Sequence, residues 1–193
     1  LWPGGWSVWP MRWMTRGGVI AEVDMKKLVR VYEIVLEHAE KHDVDVVIGN
    51  LPWDYTATTT NFRLLAERIG SRRLKFMWHP SDNLTCGEWD SATAGFQNIR
   101  PYLHSLHVKD LHVRPSDGIH RQNKDTDYRP LGEGDVDYPT ILRSMRDTGS
   151  DAVLAVYGHF IPEGGTHEDA IRINFANLLR LIAEVEADSQ PNT

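Results

Sequence analysis

Four short apolar runs of the sequence each end in residues that can do chemistry. The four ends are Gly49-Asn50-Leu51-Pro52-Trp53, His79-Pro80-Ser81-Asp82-Asn83, His107-Val108-Lys109-Asp110 and Tyr157-Gly158-His159. Imidazole nitrogens bind Zn, Mn and Co, and imidazole, ammonium and carboxyl groups can all donate or accept protons. Three of the four ends carry a histidine or a carboxylate, which indicates one site built from several strand ends.

The third end, His107-Val108-Lys109-Asp110, has the most specific pattern. Side chains alternate along a strand, so His107 and Lys109 share one face. Facing the axis of a barrel, His107 could bind a metal ion while Lys109 or Asp110 contacts a substrate. The alternative is a half-buried histidine followed by a charged loop.

The other candidates also have structural alternatives. His79 could bind a metal ion or be an ordinary polar residue at a strand end, where Pro80 stops the strand. Asp82 could hold a cation or cap the turn. The forked guanidinium of Arg129 suits a phosphate or carboxylate group, whereas the acidic residues that follow it fit a loop and the start of a helix.

The hydrophobic pattern predicts the elements that carry these ends. Apolar residues at three- and four-residue spacing predict a helix that begins at Asp24, its N-cap, and ends near Lys41. Further helices are predicted over 60–69, 92–103, 138–147 and 167–185, and strands over 44–48, 74–78, 105–108 and 152–157. Residues 114–127 are predicted to form a long loop. The tryptophan-rich residues 1–20 are either a loop with aromatic anchors or the rim of a pocket.

Helices and strands alternate without a break in composition. This order predicts parallel strands joined by crossover helices, in an open sheet or a closed barrel. No glycine-rich phosphate loop follows a strand, which disfavours the nucleotide-binding open sheet. We expect one domain over residues 1–187 and a frayed tail over 188–193.

Composition excludes several classes of protein. The chain has 193 residues and a formal net charge of −6, which disfavours binding to nucleic acid. Its single cysteine, Cys86, excludes an internal disulfide and fits a reducing, cytoplasmic compartment. No apolar run of about 18 residues is present to span a membrane. The first residue is Leu and the pattern begins abruptly, so we expect a fragment of a longer chain.

Several segments together resemble the sugar phosphate isomerase/epimerase group of the xylose isomerase-like TIM barrels. The segments, which resemble the fifth to eighth strand regions of that family, are VVIGNLP, LKFMWHPSDNLTCGEWD, LHSLHVKD and YRPLGEGDVDYPTILRSM with AVLAVYGHF. The resemblance extends from Leu1 to Glu184. It implies an incomplete (β/α)₈ TIM barrel that contains about strands 4–8 with their helices.

Members of that family usually hold one divalent metal ion with Glu, Asp, His and Glu from the last four strands. Carried onto this chain, the histidine is His107, while the other three positions are Gly49, His79 and Tyr157. The resemblance therefore implies a degenerate site for Mn, Co, Zn or Mg that uses His79, His107 and Asp82.

The resemblance also implies an isomerase or epimerase that acts on a keto-sugar, a sugar phosphate or a related hydroxylated molecule. The expected catalytic residues are Lys109, Asp110 and His159, and the expected substrate-binding residues are Asn50, Trp53, Arg129 and Tyr157. One alternative is a non-catalytic sugar-binding barrel that has lost its metal. The abasic-site endonuclease branch of the superfamily is a further alternative, which the few ligands and the negative charge disfavour. The resemblance also implies that the protein can form a homo-oligomer.

Overall fold

The structure, a computed structural model, describes residues 19–113 and 126–188. The predictions for the tryptophan-rich residues 1–18, for most of the long loop and for the end of the tail lie outside the described residues. Six α-helices and six strands are present in the described ranges. The helices are α1 (Glu22–Lys41), α2 (Thr59–Ile69), α3 (Pro80–Thr85), α4 (Phe96–Ile99), α5 (Tyr138–Asp147) and α6 (His167–Ala187). The strands are β1 (Val46–Gly49), β2 (Leu74–Trp78), β3 (Leu103–Val108), β4 (Asp110–Val113), β5 (Thr126–Arg129) and β6 (Val153–Val156).

Four of the strands form one parallel sheet in the order β1-β2-β3-β6. The prediction of an α/β fold with parallel strands is confirmed. The described residues do not close this sheet into a barrel, so within them β1 and β6 are its two edges. β4 and β5 form a separate antiparallel hairpin, which begins directly beyond the end of β3.

Parallel pairing brings the carboxyl ends of the strands to one edge of the sheet. Between β2 and β3 the register shifts by one residue after Phe76, which pairs with Leu103, whereas Met77 pairs with Ser105. Trp78 is then opposite Leu106. The residues that follow them along the two strands, His79 and His107, therefore become neighbours. The bulge thus sets which two histidines meet.

The core lies between the sheet and the helices that pack on it. Strand residues such as Phe76 and Leu106 are fully buried, as expected for a parallel sheet. The rings of Phe62 on α2 and Phe76 stack with centroids 4.1 Å apart, which fixes α2 against β2. Thr58 is the N-cap of α2, and its hydroxyl accepts a hydrogen bond from the backbone N–H of Asn61 at 3.2 Å.

Three predicted elements differ from the structure. The N-cap of α1 is Ala21 and not Asp24, which lies in the first turn beside Lys27. The predicted helix over 92–103 is a π turn, a short α4 and a 3₁₀ turn, because Pro101 lacks the N–H that a continuous helix needs. The predicted loop over 114–127 was wrong at its end, where residues 126 and 127 belong to β5.

Helix α3 was not predicted because six residues are too few to show a hydrophobic period. It follows β2 directly and begins at Pro80, which needs no N–H in the first turn. None of the described helices combines the length and apolar character needed to cross a membrane.

Candidate functional site at the strand carboxyl ends

The ends of β2 and β3 are joined by a buried ion pair. The Nζ atom of Lys109, just after β3, lies 3.0 Å from Oδ2 and 3.0 Å from Oδ1 of Asp82 on α3. Only 6% of the Lys109 side chain and 4% of the Asp82 side chain are exposed. Burial raises the pKa of the Asp82 carboxyl, while the charge and hydrogen bond of Lys109 act to lower it. A charged pair removed from water in this way is costly unless its geometry is good.

Helix α3 holds Asp82 in place through its neighbour Asn83. The Asn83 side chain accepts a hydrogen bond from Trp78 Nε1 at 2.7 Å and donates one to the carbonyl of Ala57 at 2.8 Å. Both contacts are buried, and they tie α3 to the last residue of β2 and to the loop after β1. The direction of the Asp82 side chain therefore follows from the packing of α3.

Side chains from elsewhere in the chain fix the backbone at three strand ends. The hydroxyl of Tyr138 accepts from Lys109 N at 3.0 Å and donates to Lys109 O at 2.8 Å. The amide of Asn50 pairs in the same way with the N–H and the carbonyl of His79, at 2.8 and 3.0 Å. The amide of Asn174 on α6 donates to the carbonyl of Tyr157. The site is therefore rigid at its backbone.

A connected set of five rings lies along the same edge of the sheet, from His79 through His107, Tyr157 and His159 to Tyr128, and its first three rings form a triangle in which His79 and Tyr157 are 6.3 Å apart. We call it the ring row. Its successive centroids are 4.4, 4.9, 5.6 and 4.9 Å apart. Its first two members are buried, whereas Tyr157 and His159 are exposed. The row therefore extends from the buried ion pair to the solvent.

The three imidazoles of the ring row are electrically neutral at pH 7. Burial is the main cause: it lowers the pKa of His79 to about 2 and that of His107 to about 4, and partial desolvation lowers the pKa of the more exposed His159 as well. The positive charge of Lys109 is the next cause in each case. A neutral imidazole has one N–H donor and one acceptor nitrogen, so each ring can bind a hydroxyl group in either sense.

Asp110 has a structural role in this geometry. Its Oδ1 accepts hydrogen bonds from the N–H groups of Leu111 and Val136, at 2.9 and 3.2 Å. Its Oδ2 accepts from Gly132 and Gly134, at 2.9 and 3.1 Å. A carboxylate has about four lone-pair sites, and these bonds fill them. The structure thus shows Asp110 bound to the backbone of a neighbouring loop, and its catalytic role stays a prediction.

The four predicted substrate-binding residues lie in four different surroundings. Tyr157 is in the ring row, but the amide of Asn50 is occupied by the backbone of His79. Trp53 is half-buried in the loop after β1. Arg129 is exposed on β5, where its guanidinium pairs with Asp127. The structure thus brings together His79, Asp82, His107, Lys109, Tyr157 and His159.

The residues present do not fit a divalent metal ion. Both oxygens of Asp82 face the Lys109 ammonium, and the Nδ1 atom of His79 is 3.5 Å from Asp82 Oδ2. Gly49 and Tyr157 supply no carboxylate at the ends of β1 and β6. Within residues 19–113 and 126–188, no three His, Cys, Asp or Glu side chains are arranged to hold a metal. The predicted ligands His79, His107 and Asp82 are therefore close together without forming a metal centre there.

Sequence reasoning missed the residues that hold the site together. Tyr138, Asn83 and Asn174 make its supporting hydrogen bonds, and Tyr128 extends the ring row. Only the polar Asn174 within the apolar stripe of α6 gave a signal, because a buried amide needs a partner. The other contacts join residues that are far apart in sequence, so no local sequence pattern indicated them.

Comparison with known proteins identifies the fold. Residues 3–188 match the family described as xylose isomerase-like TIM barrel. A xylose isomerase domain protein from Planctomyces limnophilus superposes with a TM-score of 0.68 at 19% identity, covering 88% of this chain and 57% of that one. An L-ribulose 3-epimerase superposes with a TM-score of 0.67 at 13% identity, covering 91% and 61%.

A third neighbour is a xylose isomerase-like TIM barrel protein from Mycobacterium smegmatis in complex with magnesium. It superposes with a TM-score of 0.61 at 14% identity, covering 90% of this chain and 55% of that one. The chain therefore spans between 55% and 61% of the length of these three proteins. No protein with curated annotation is significantly similar to it in sequence.

Proposed function

Because this chain belongs to the xylose isomerase-like TIM barrel family, we propose that it binds a small keto-sugar or a related hydroxylated carbonyl compound at the carboxyl ends of β2, β3 and β6. The reaction we propose is isomerisation or epimerisation by proton transfer next to the carbonyl. Solved structures with this fold include an L-ribulose 3-epimerase and a 3-keto-D-glucoside 4-epimerase, which supports the reaction class.

One observation carries the proposal: three neutral imidazoles and two tyrosine rings contact one another beside the Lys109–Asp82 ion pair. The flat rings suit the faces of a sugar, and the ring nitrogens and hydroxyls suit its hydroxyl groups. The edge of the sheet is also where enzymes with this fold place their chemistry. Trp53 and Arg129 are proposed as outer contacts of the same substrate.

The proposed reaction needs one base and one group that holds the carbonyl oxygen. A base removes the proton from the carbon next to the carbonyl, and the electron pair of that C–H bond moves onto the carbonyl oxygen to give an enediolate. In isomerisation the proton returns to the neighbouring carbon, while the hydroxyl proton of the first carbon moves to the former carbonyl oxygen. In epimerisation a proton from water adds to the opposite face of the same carbon, and the base releases its own proton to solvent. We propose His159 as the base, because it is exposed whereas His79 and His107 are buried, so it is the imidazole of the ring row that a substrate can reach from solvent.

Proton exchange with solvent tests the reaction without knowledge of the product. The protein is incubated in D₂O with L-ribulose, D-tagatose, D-fructose or a 3-keto-glucoside, and deuterium at the carbons next to the carbonyl is followed by NMR. We expect incorporation for at least one of these compounds. His159→Gln should slow it by about a hundredfold, as removal of a positioned base usually does.

His104→Gln is the matched control, since His104 is exposed on β3, and it should leave the exchange rate unchanged. No exchange with any compound would reject the enzymatic proposal.

Saturable binding of one of these sugars without exchange would instead establish a second candidate, the non-catalytic sugar-binding barrel. The observation that favours this second candidate is that Gly49 and Tyr157 place no carboxylate base at the ends of β1 and β6. Homo-oligomer formation and the lack of nucleic-acid binding remain predictions.

A further inference from the structure

Lys109 and Asp82 form an ion pair although both side chains are less than a tenth exposed, at 6% and 4%. Burying two charges costs free energy, and an apolar pair of similar size is often no less stable. The pair therefore calls for an explanation other than stability. Its position at the strand ends, beside two buried imidazoles, points to a role in binding.

We propose that the Lys109 ammonium, clamped by Asp82, occupies the place of a divalent metal ion at this edge and supplies the fixed positive charge that holds the ligand's carbonyl oxygen. The first part of this statement concerns the protein alone. The second part rests on the proposed function.

The available ligands support the first part. A divalent ion here would need the Asp82 carboxylate, because Asp82 is the acid that adjoins His79, with Oδ2 3.5 Å from the imidazole Nδ1. Both Asp82 oxygens are already 3.0 Å from the ammonium. An ion bound to either oxygen would stand a few ångströms from a positive charge in a poorly screened interior, where like charges repel strongly. Lys109 and a metal ion therefore exclude each other.

The geometry of Lys109 supports the second part. An ammonium group has three N–H donors, and the two Asp82 oxygens account for two of them. The third can donate to an oxygen of a ligand. The backbone of Lys109 is fixed on both sides by the Tyr138 hydroxyl, and Asp82 is fixed by α3. A donor that is held before the ligand arrives needs no reorganisation, which is how an enzyme stabilises a developing oxyanion.

His107 offers a second contact for the same ligand. Its Nδ1 atom is buried and has no hydrogen-bond partner among the described residues. A buried polar atom of this kind is uncommon unless a ligand or a water molecule completes it. The ring of His107 contacts those of both His79 and Tyr157, and we propose that it binds a hydroxyl beside the carbonyl while the carbonyl oxygen contacts Lys109. Lys109 and His107 would then grip two neighbouring oxygens.

Cobalt binding tests the first part without any sugar. Metal-free protein is mixed with equimolar Co²⁺, and the visible d–d absorption and the bound metal are measured. The unmodified protein should bind no stoichiometric Co²⁺. Lys109→Ala should gain a site, because the Asp82 carboxylate, whose Oδ2 is 3.5 Å from Nδ1 of His79, is then released from the ammonium that now holds it. Adding Asp82→Asn to that variant should abolish the gain.

Stoichiometric Co²⁺ in the unmodified protein would overturn the proposal, as would the absence of a gain in a folded Lys109→Ala variant. Lys109→Gln, which keeps a donor for Asp82, is the second variant if the alanine variant does not fold, and it should also gain cobalt binding. Lys109→Arg retains the charge and is the matched control, with no gain. Circular dichroism and a thermal melt establish that each variant is folded.

Chelation separates this inference from the proposed function. If the D₂O exchange occurs, it should be unchanged by EDTA and reduced about a hundredfold in Lys109→Ala. Exchange that EDTA abolishes and Mn²⁺ restores would overturn the role of Lys109 while leaving the isomerase proposal intact. The expected cobalt result without exchange or sugar binding would reject the proposed function but leave the exclusion of metal by Lys109 standing.

Discussion

The strand ends and the neighbouring hairpin each contain a pair of one basic and one acidic side chain, but in opposite surroundings. Lys109 and Asp82 are 6% and 4% exposed, whereas Arg129 and Asp127 on β5 are 44% and 29% exposed. Water screens the second pair, which leaves it a net value of about 0–1 kcal/mol. The first pair has no such screening, so loss of one partner strands a charge in the interior. The comparison shows that the costly burial of a charged pair occurs at the candidate site.

Removing one acid from each pair gives the largest contrast. Asp82→Ala should lower the free energy of unfolding by about 3–5 kcal/mol, because it leaves the Lys109 ammonium buried without a partner. Asp127→Ala, the matched control, should change it by about 0–1 kcal/mol. Urea unfolding followed by circular dichroism measures both. Equal effects of the two substitutions would show that the buried pair is hydrated in solution.

The backbone contacts of the buried pair give a smaller contrast. Tyr138→Phe removes the hydroxyl that bonds both the N–H and the carbonyl of Lys109, and it should cost about 2 kcal/mol. Tyr102→Phe is the control, because its hydroxyl makes no hydrogen bond among the described residues, and it should cost less than about 0.5 kcal/mol. The same urea experiment compares them. A neutral Tyr138→Phe substitution would mean that water replaces the hydroxyl.

The buried histidines add a dependence on pH. The pKa of His107 falls from 6.5 to about 4 on burial, so between these values the unfolded chain binds a proton that the folded chain does not. Stability is therefore present above pH 6.5 and is lost as the pH falls, by up to about 1.4 kcal/mol per pH unit for this histidine. His107→Phe should reduce the slope of unfolding free energy between pH 6.5 and 5 by that amount. The exposed His38→Gln is the control, and an identical slope in both variants would contradict the prediction.

Elements with a complete local pattern were predictable from the sequence. The bounds of β2 and α5 are as predicted, at 74–78 and 138–147, because each apolar pattern is regular and has clear ends. The segment over 92–103 was not, since Pro101 breaks the hydrogen-bonding of an otherwise apolar stripe. The β4–β5 hairpin was hidden because each strand has only four residues and β5 contains no aliphatic side chain.

The candidate site was predictable in its membership but not in its pairings. His79, His107 and Tyr157 follow three neighbouring parallel strands, so the fold class alone brings them to one edge. The contact of Lys109 with Asp82 joins residues 27 positions apart, and that of Leu131 with Asn174 joins residues 43 apart. Only the tertiary fold sets such contacts. For this reason the sequence did not show that Asp82 pairs with Lys109 or that Asp110 binds the backbone of a loop.

The contacts that fix the strand ends have a consequence for how this scaffold can be altered. The backbones of His79, Lys109 and Tyr157 are held by the side chains of Asn50, Tyr138 and Asn174, and not by their own side chains. A substitution at the three strand-end positions therefore leaves the Cα positions where they are. The ligand-binding side chains at these three positions can therefore be changed one at a time. A substitution at Asn50, Tyr138 or Asn174 would instead shift the backbone of the strand end that it binds.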